Sequence, residues 1–184
     1  MKIAAGEIHL NRTSACLSTM PVRKQNRLKG YDYSSDGAYF VTICTKKREC
    51  IFGEVIVGDG LARPAYVNLS EYGLIVDQEL RQLPSHYNMI NVNRYVIMPN
   101  HLHAILTIGD ASPSTGRASP SPTLGNIVGG VKSGVSRLCG FSPWQRFFHD
   151  HIIRNEQEYV RIVEYIKNNP ETWDTDCHFI PITS

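Results

Sequence analysis

The chain has 184 residues, enough for one domain with a substantial hydrophobic core, and its formal net charge of +2 neither requires nor excludes a polyanionic partner. Five cysteines without a C-x-x-C pair read as reduced thiols, not as a disulfide framework or a zinc knuckle. No apolar run approaches the ~18 residues needed to span a bilayer, and the N-terminus lacks a signal-peptide core, so the expectation is a cytoplasmic protein with no membrane partner.

Residues 1–22 have weak periodicity and are expected to form a loose or disordered tail, leaving 23–184 as a single domain. Arg23, Lys24, Arg27 and Lys29 follow, a cluster that suits either a solvated surface or a phosphate-contacting arm. Tyr31 to Gly37 has turn composition, and Tyr39 to Thr45 is β-branched and aromatic enough for a strand. Lys46, Lys47 and Arg48 form a second basic spot directly after it. Residues 54–60 and 65–69 suit a hairpin turning at Gly58-Asp59-Gly60. Ser70 is a candidate cap for a helix running to about Leu83 and stopped by Pro84, with Leu74, Ile75 and Leu80 on its apolar face.

The stretch from Asn91 to Ile108 reads as two buried strands interrupted at Pro99-Asn100. Proline is disfavoured inside a central strand, so a turn or bulge is expected there, making 91–98 and 101–108 antiparallel neighbours. His101 and His103 then project from one face of the second strand, and Leu102, Ala104, Leu106 and Ile108 from the other. A lone strand histidine is ordinarily a satisfied core or surface residue. Two neutral imidazoles side by side also form a natural pair of divalent-metal ligands, although a further ligand must come from elsewhere.

Residues 110–122 are rich in Ser, Pro and Gly and are expected to form a flexible loop. Leu124 to Leu138 has helical spacing at Ile127, Val128, Val131, Val135 and Leu138; its four glycines weaken that reading, and close backbone approach would be one reason to keep them. Trp144 to His151 suits a short aromatic strand or loop. Glu156 to Asn168 is the last predicted helix, with Tyr159, Ile162, Val163 and Ile166 on one stripe and Pro170 beyond its end. Trp173 is expected to anchor the C-terminal segment. At 100° per residue, Tyr165 lies roughly 110° and Asn169 roughly 70° from the stripe centre on the same side, so they are neighbours. On a helix alone, such a tyrosine is ordinarily an amphipathic interface residue.

Pro99-Asn100-His101-Leu102-His103 resembles the His-hydrophobic-His signature of the HUH endonucleases. Trp144-Gln145-Arg146, His151-Ile152-Ile153-Arg154-Asn155 and Tyr165-Ile166-Lys167-Asn168-Asn169-Pro170 follow in the order found in REP-associated tyrosine transposases, relatives of the single-tyrosine insertion-sequence transposases. Lys29 to Tyr33 and Tyr39 to Thr45 resemble one branch of that group, so the likeness covers about residues 27 to 173. It implies an α+β fold of the HUH, ferredoxin-like or RRM-like kind, a central antiparallel sheet with helices packed on it. It further implies that Tyr165 is a nucleophile, and that His101, His103 and Asn169 hold a divalent cation, Mg²⁺ or Mn²⁺.

The implied activity is metal-dependent cleavage and strand transfer of single-stranded, hairpin-bearing DNA through a 5′-phosphotyrosine. Lys46, Lys47, Arg48, Lys132, Arg137, Arg146 and Arg154 are candidate phosphate contacts, and Tyr31, Tyr33, Trp144 and Phe148 candidate base-stacking platforms, although each taken singly is more often structural or solvated. His149 and His151 suit either a supporting role at the site or packing beside the aromatic segment. Two other activities compete: a non-cleaving regulator that binds DNA hairpins, and a phosphodiesterase that uses water. The group contains dimers and monomers, so a homodimer is one of two expectations.

Overall fold

The computed structural model describes residues 30–57, 64–109 and 122–179. Strand β1 is Gly37–Cys44; β2, Gly53–Ile56, and β3, Tyr66–Leu69, form a separate two-stranded ribbon. Helix α1 is Glu71–His86, β4 Ile90–Met98, β5 His101–Ile108, α2 Leu124–Cys139, β6 His149–Ile153 and α3 Glu156–Asn168. The main sheet has the order β4-β5-β1-β6 and every pairing in it is antiparallel. This is the expected α+β architecture. The tail, the first basic cluster, the Gly58-Asp59-Gly60 turn and the 110–122 loop, except Pro122, lie outside the described residues.

Strand alternation gives the sheet two unlike faces. Tyr39, Val41 and Ile43 of β1 share one face with Leu102, Ala104, Leu106 and Ile108 of β5. They are buried in one cluster with Val76, Leu80 and Leu83 of α1 and Ile127, Val128, Val131 and Val135 of α2. Thr42, Cys44, His101, His103 and Ile105 alternate with them and point to the opposite face, which α3 crosses over β4 and β5. Polar strand residues are therefore buried by a helix on one side and braced by a hydrocarbon core on the other.

Each helix starts on the side-chain oxygen of a capping residue. Ser70 Oγ accepts from Gly73 N (3.2 Å), Thr123 Oγ1 from Asn126 N (3.3 Å) and Asn155 Oδ1 from Glu158 N (2.9 Å). Pro84 does not stop α1, contrary to the sequence expectation. It falls in the last turn, where little ladder follows it, and Tyr87 N closes the helix on Leu83 O at 3.0 Å. The buried stripe is Gly73, Val76, Leu80 and Leu83, while Leu74 faces outward at 58 % exposure. A 3-4-3 spacing that begins one residue earlier won over the expected apolar face.

Gly130 and Gly134 of α2 are approached by side chains, not by the backbone that the sequence led us to expect. A Cβ at Gly130 would lie 2.8 Å from Tyr87 Oη, and one at Gly134 would lie 1.8 Å from Glu79 Oε2, so α1 and its C-terminal turn approach closely. Gly73 is less forgiving, because its Cβ would meet the Phe52 carbonyl oxygen at 2.1 Å, and backbone cannot swing away. Gly73→Ala is expected to destabilise the fold by about 1–3 kcal/mol, read from the urea midpoint. Gly129→Ala, which meets nothing within 4 Å, is expected to be neutral or to stabilise by up to about 1 kcal/mol.

Candidate metal and tyrosine site

The β4–β5 connection is the tight turn Pro99-Asn100, as its sequence suggested, and it leads straight into the histidines. Asn100 is completely buried. Its amide nitrogen donates to the carbonyls of Arg48 (3.2 Å) and His178 (2.8 Å), which fixes the amide's orientation. Its Oδ1 must then accept, so His101 Nδ1 carries a proton and donates to it at 2.9 Å. The other ring nitrogen of His101 is left with a lone pair. On β1, opposite His103, Thr42 Oγ1 lies 2.8 Å from His103 Nδ1. His103 Nε2 faces the hydroxyl of Tyr165 at 3.1 Å.

The sequence resemblance expected Tyr165 and Asn169 beside the histidines, and α3 brings them there. Tyr165 is 41 % exposed, its ring edge-on to Phe40 (centroids 6.1 Å apart) and 5.2 Å from the His103 ring. Asn169 is fully buried against His101. Asn169 Oδ1 and His101 Nε2 are both buried acceptors without a hydrogen-bond partner among the described residues. Buried lone pairs of this kind are costly unless a donor or a cation stands between them. Two neutral imidazoles and an amide oxygen form a donor set that a divalent ion fits.

Burial dominates the electrostatics. Desolvation, then the neighbouring imidazoles, depress His101 to about 2, and desolvation depresses His103 to about 3. Both rings are therefore neutral throughout the physiological range. Desolvation and then the Asp176 carboxylate push the Tyr165 phenol up to about 12, so it is protonated at neutral pH.

Two residues that the sequence did not single out complete the cluster. A 3₁₀ segment, Asn169–Thr175, ends in a turn that returns Asp176 and His178 to the histidines. Asp176 Oδ2 accepts from Asn169 Nδ2 at 3.1 Å and lies 3.5 Å from the Tyr165 hydroxyl. One ring nitrogen each from His101, His103 and His178 lie within 4.8 Å of one another. The guanidinium of Arg48 donates to His178 Nδ1. No periodicity or spacing marks a short segment beyond a helix-stopping proline, so only the fold reveals these partners. Trp173 does anchor this segment, tilted over the His101 ring at 5.9 Å and edge-on to Phe179 at 5.4 Å.

No family model matches the chain. It is 38 % identical over 175 residues to an uncharacterized protein of Haemophilus influenzae, covering 86 % of this chain and 93 % of that one. Over 80 residues, 43 % of each chain, it is 29 % identical to the REP-associated tyrosine transposase of Escherichia coli K12. Its fold matches the solved structure of a REP-associated tyrosine transposase bound to a REP hairpin, with TM-score 0.56 and 19 % identity over 80 % of this chain and 73 % of the other. In fold, and over part of its sequence, the chain is similar to the REP-associated tyrosine transposases.

The other residues expected to serve such a transposase are spread more widely. Lys46 and Lys47 are exposed and Arg48 half-buried in the turn after β1, where Lys47 (φ 56°) and Arg48 (φ 60°) are both left-handed. Side chains rarely adopt that conformation, and consecutive instances beside a site are a mark of function. Arg137, Arg146 and Arg154 are exposed at the end of α2, in the following loop and after β6. Lys132 Nζ is within reach of the carbonyls of Gln145 (2.8 Å), Phe147 (3.3 Å) and Arg146 (3.4 Å), so it staples that loop to α2. Tyr33 and Trp144, candidates for either stacking or a structural role, are core residues only 8 % and 6 % exposed. Tyr31 and Phe148 are half-buried, and the neighbouring Phe147 is 52 % exposed. His151 pairs with Glu158 at 2.7 Å.

A histidine held neutral by burial binds no proton in the folded state while the unfolded chain does so below about pH 6.5. Metal-free protein is therefore expected to be at full stability above pH 6.5 and to lose it as the pH falls towards 3, by up to about 2 kcal/mol per histidine at pH 5. Urea midpoints at pH 7.5 and 5.0 measure the loss, and His101→Gln should show a visibly smaller one.

Proposed function

We propose that this protein is a metal-dependent single-stranded DNA nickase and strand transferase that works through a covalent phosphotyrosine on hairpin-bearing DNA. The observation that carries this reading is the convergence of Tyr165 Oη, the two histidines and the unpartnered Asn169 Oδ1 on one face of the sheet. A half-exposed hydroxyl beside buried metal-ligand types suits attack on a polymer that arrives from solvent. The likeness in fold to a REP-associated tyrosine transposase solved on a REP hairpin supports the same class of DNA as substrate here.

In the proposed reaction Tyr165 Oη attacks the scissile phosphorus. A bond from the tyrosine oxygen to phosphorus forms, the bond to the 3′ oxygen breaks, and that oxygen leaves as a 3′-OH after taking up a proton. The 5′ side stays on the enzyme as a phosphodiester, so a free 3′-OH can reverse the step or transfer the strand. A divalent ion on His101, His103 and Asn169 would neutralise charge on the non-bridging oxygens and align the phosphate. The phenol, protonated at neutral pH, must lose its proton as attack proceeds. Asn100 and Thr42 fix the imidazole planes. Arg48, Lys46 and Lys47 line the approach as phosphate contacts, with Arg137, Arg146 and Arg154 as contacts further along the strand.

Denaturing gels with a labelled panel of single-stranded hairpin DNAs test this. Wild type with Mn²⁺ or Mg²⁺ is expected to give a slow-migrating covalent band that Tyr165→Phe and chelator both abolish. Cleavage without a band would assign the nucleophile to water. Binding without cleavage in either protein would assign a regulator. Because two of the ligands are imidazoles, half-maximal adduct formation is expected at a lower concentration of Mn²⁺ than of Mg²⁺.

A further inference from the structure

The proposed metal site depends on which end of the Asn169 amide faces it. The two ends are nearly the same shape, yet only Oδ1 can bind a cation. The NH₂ end would be the better neighbour for His101 in the metal-free protein, since His101 Nε2 is a buried lone pair that needs a donor. Left to itself, the amide would turn its NH₂ to His101 and close the site to metal. Something must hold it the other way.

We infer that Asp176 is the positioning residue that holds Asn169 with its carbonyl towards the metal site. The inference rests on the reading of His101, His103 and Asn169 as metal ligands. Asp176 Oδ2 accepts from Asn169 Nδ2 at 3.1 Å, a charge-assisted bond of the kind stronger than a neutral amide would offer to an imidazole. The same oxygen lies 3.5 Å from the Tyr165 hydroxyl, one helical turn earlier on α3, so one carboxylate registers both residues. Asp176 is itself fixed. Its Oδ1 accepts from His178 N at 2.6 Å, its N donates to Trp173 O at 3.1 Å, and its O accepts from Phe179 N at 2.9 Å. The adjoining His178 carbonyl takes the Asn100 amide at 2.8 Å. Asn100 thus sets the lone pair of one ligand and Asp176 sets that of another, and the C-terminal turn joins the two.

Mn²⁺ binding to the full chain by titration calorimetry, without DNA, tests this apart from activity. Asp176→Ala is expected to weaken Mn²⁺ binding about 10- to 100-fold, the range found when a residue supporting a metal ligand is removed. Asp176→Asn keeps an oxygen that can accept from Asn169 Nδ2 and is expected to stay within about 3-fold of wild type. Asn169→Asp presents two equivalent oxygens and has nothing to orient. In that background Asp176→Ala should cost no affinity, a comparison that stands even if the single Asp176→Ala variant folds poorly.

The inference is overturned if Asp176→Ala binds within 2-fold of wild type while Asn169→Ala is weakened. It is equally overturned if Asp176→Asn loses as much as Asp176→Ala, which would make the carboxylate a direct ligand. If His101→Ala and Asn169→Ala both bind Mn²⁺ like wild type, the metal site itself is misassigned and the inference goes with it.

Discussion

The carboxamide of Asn100 is fully buried and joins three separated pieces of chain, and the shape of the site depends on it. Its nitrogen bridges the carbonyls of Arg48 and His178, and its oxygen receives the His101 ring. Its main-chain carbonyl accepts from Thr45 N (2.9 Å), just past the end of β1. Buried amide groups are expensive unless all their bonds are made, and here every polar end is used. A side chain that must satisfy three partners at once cannot relax to suit one of them. The His101 tautomer, the strained basic turn and the C-terminal segment are consequently fixed together.

The sheet explains why such a cluster can be buried at all. One face of β1 and β5 is covered by α1 and α2 in a continuous hydrocarbon core, which makes the strands rigid. The other face can then carry Thr42, His101 and His103 without being the main source of stability. Helix α3 contributes a single fully apolar buried position, Ile166. It holds Asn169 inside while leaving Tyr165 near the surface. In the proposed reaction a ligand must be sheltered from water and a nucleophile must be reachable by DNA, and four residues of helix span that difference.

Legibility in the sequence followed the range of the interactions. The strand His101–Ile108, the Pro99-Asn100 turn and the helix Glu156–Asn168 are set by local alternation, by proline and by a 3.6-residue stripe, and all three were readable. Pro84 misled because a proline in a final turn breaks so little ladder, and Leu74 because an apolar residue at a neighbouring phase imitates a core position. The pairing of β5 with α3 was not readable from pattern and came only from resemblance to a family. Asp176 and His178 were invisible to both, since they lie in irregular backbone past the last motif and act through contacts made only in the folded chain. Tyr33 and Trp144, for which packing competed with base stacking, are packed in the core, a choice that aromatic character alone does not make.

The charges around the cluster have a direction. The Arg48 cation stands on one side, where its field helps to depress His101 and His178. The Asp176 carboxylate stands on the other, where it raises Tyr165 and opposes the depression of His103. A phosphate brought to the proposed site is drawn towards Arg48, and the phenol hydrogen towards Asp176. Neither charge belongs to the histidines or the tyrosine, the residues by which such a site is recognised. The polarity of the site is therefore supplied by two segments outside the recognisable motifs, both attached through Asn100, the residue immediately before the first histidine.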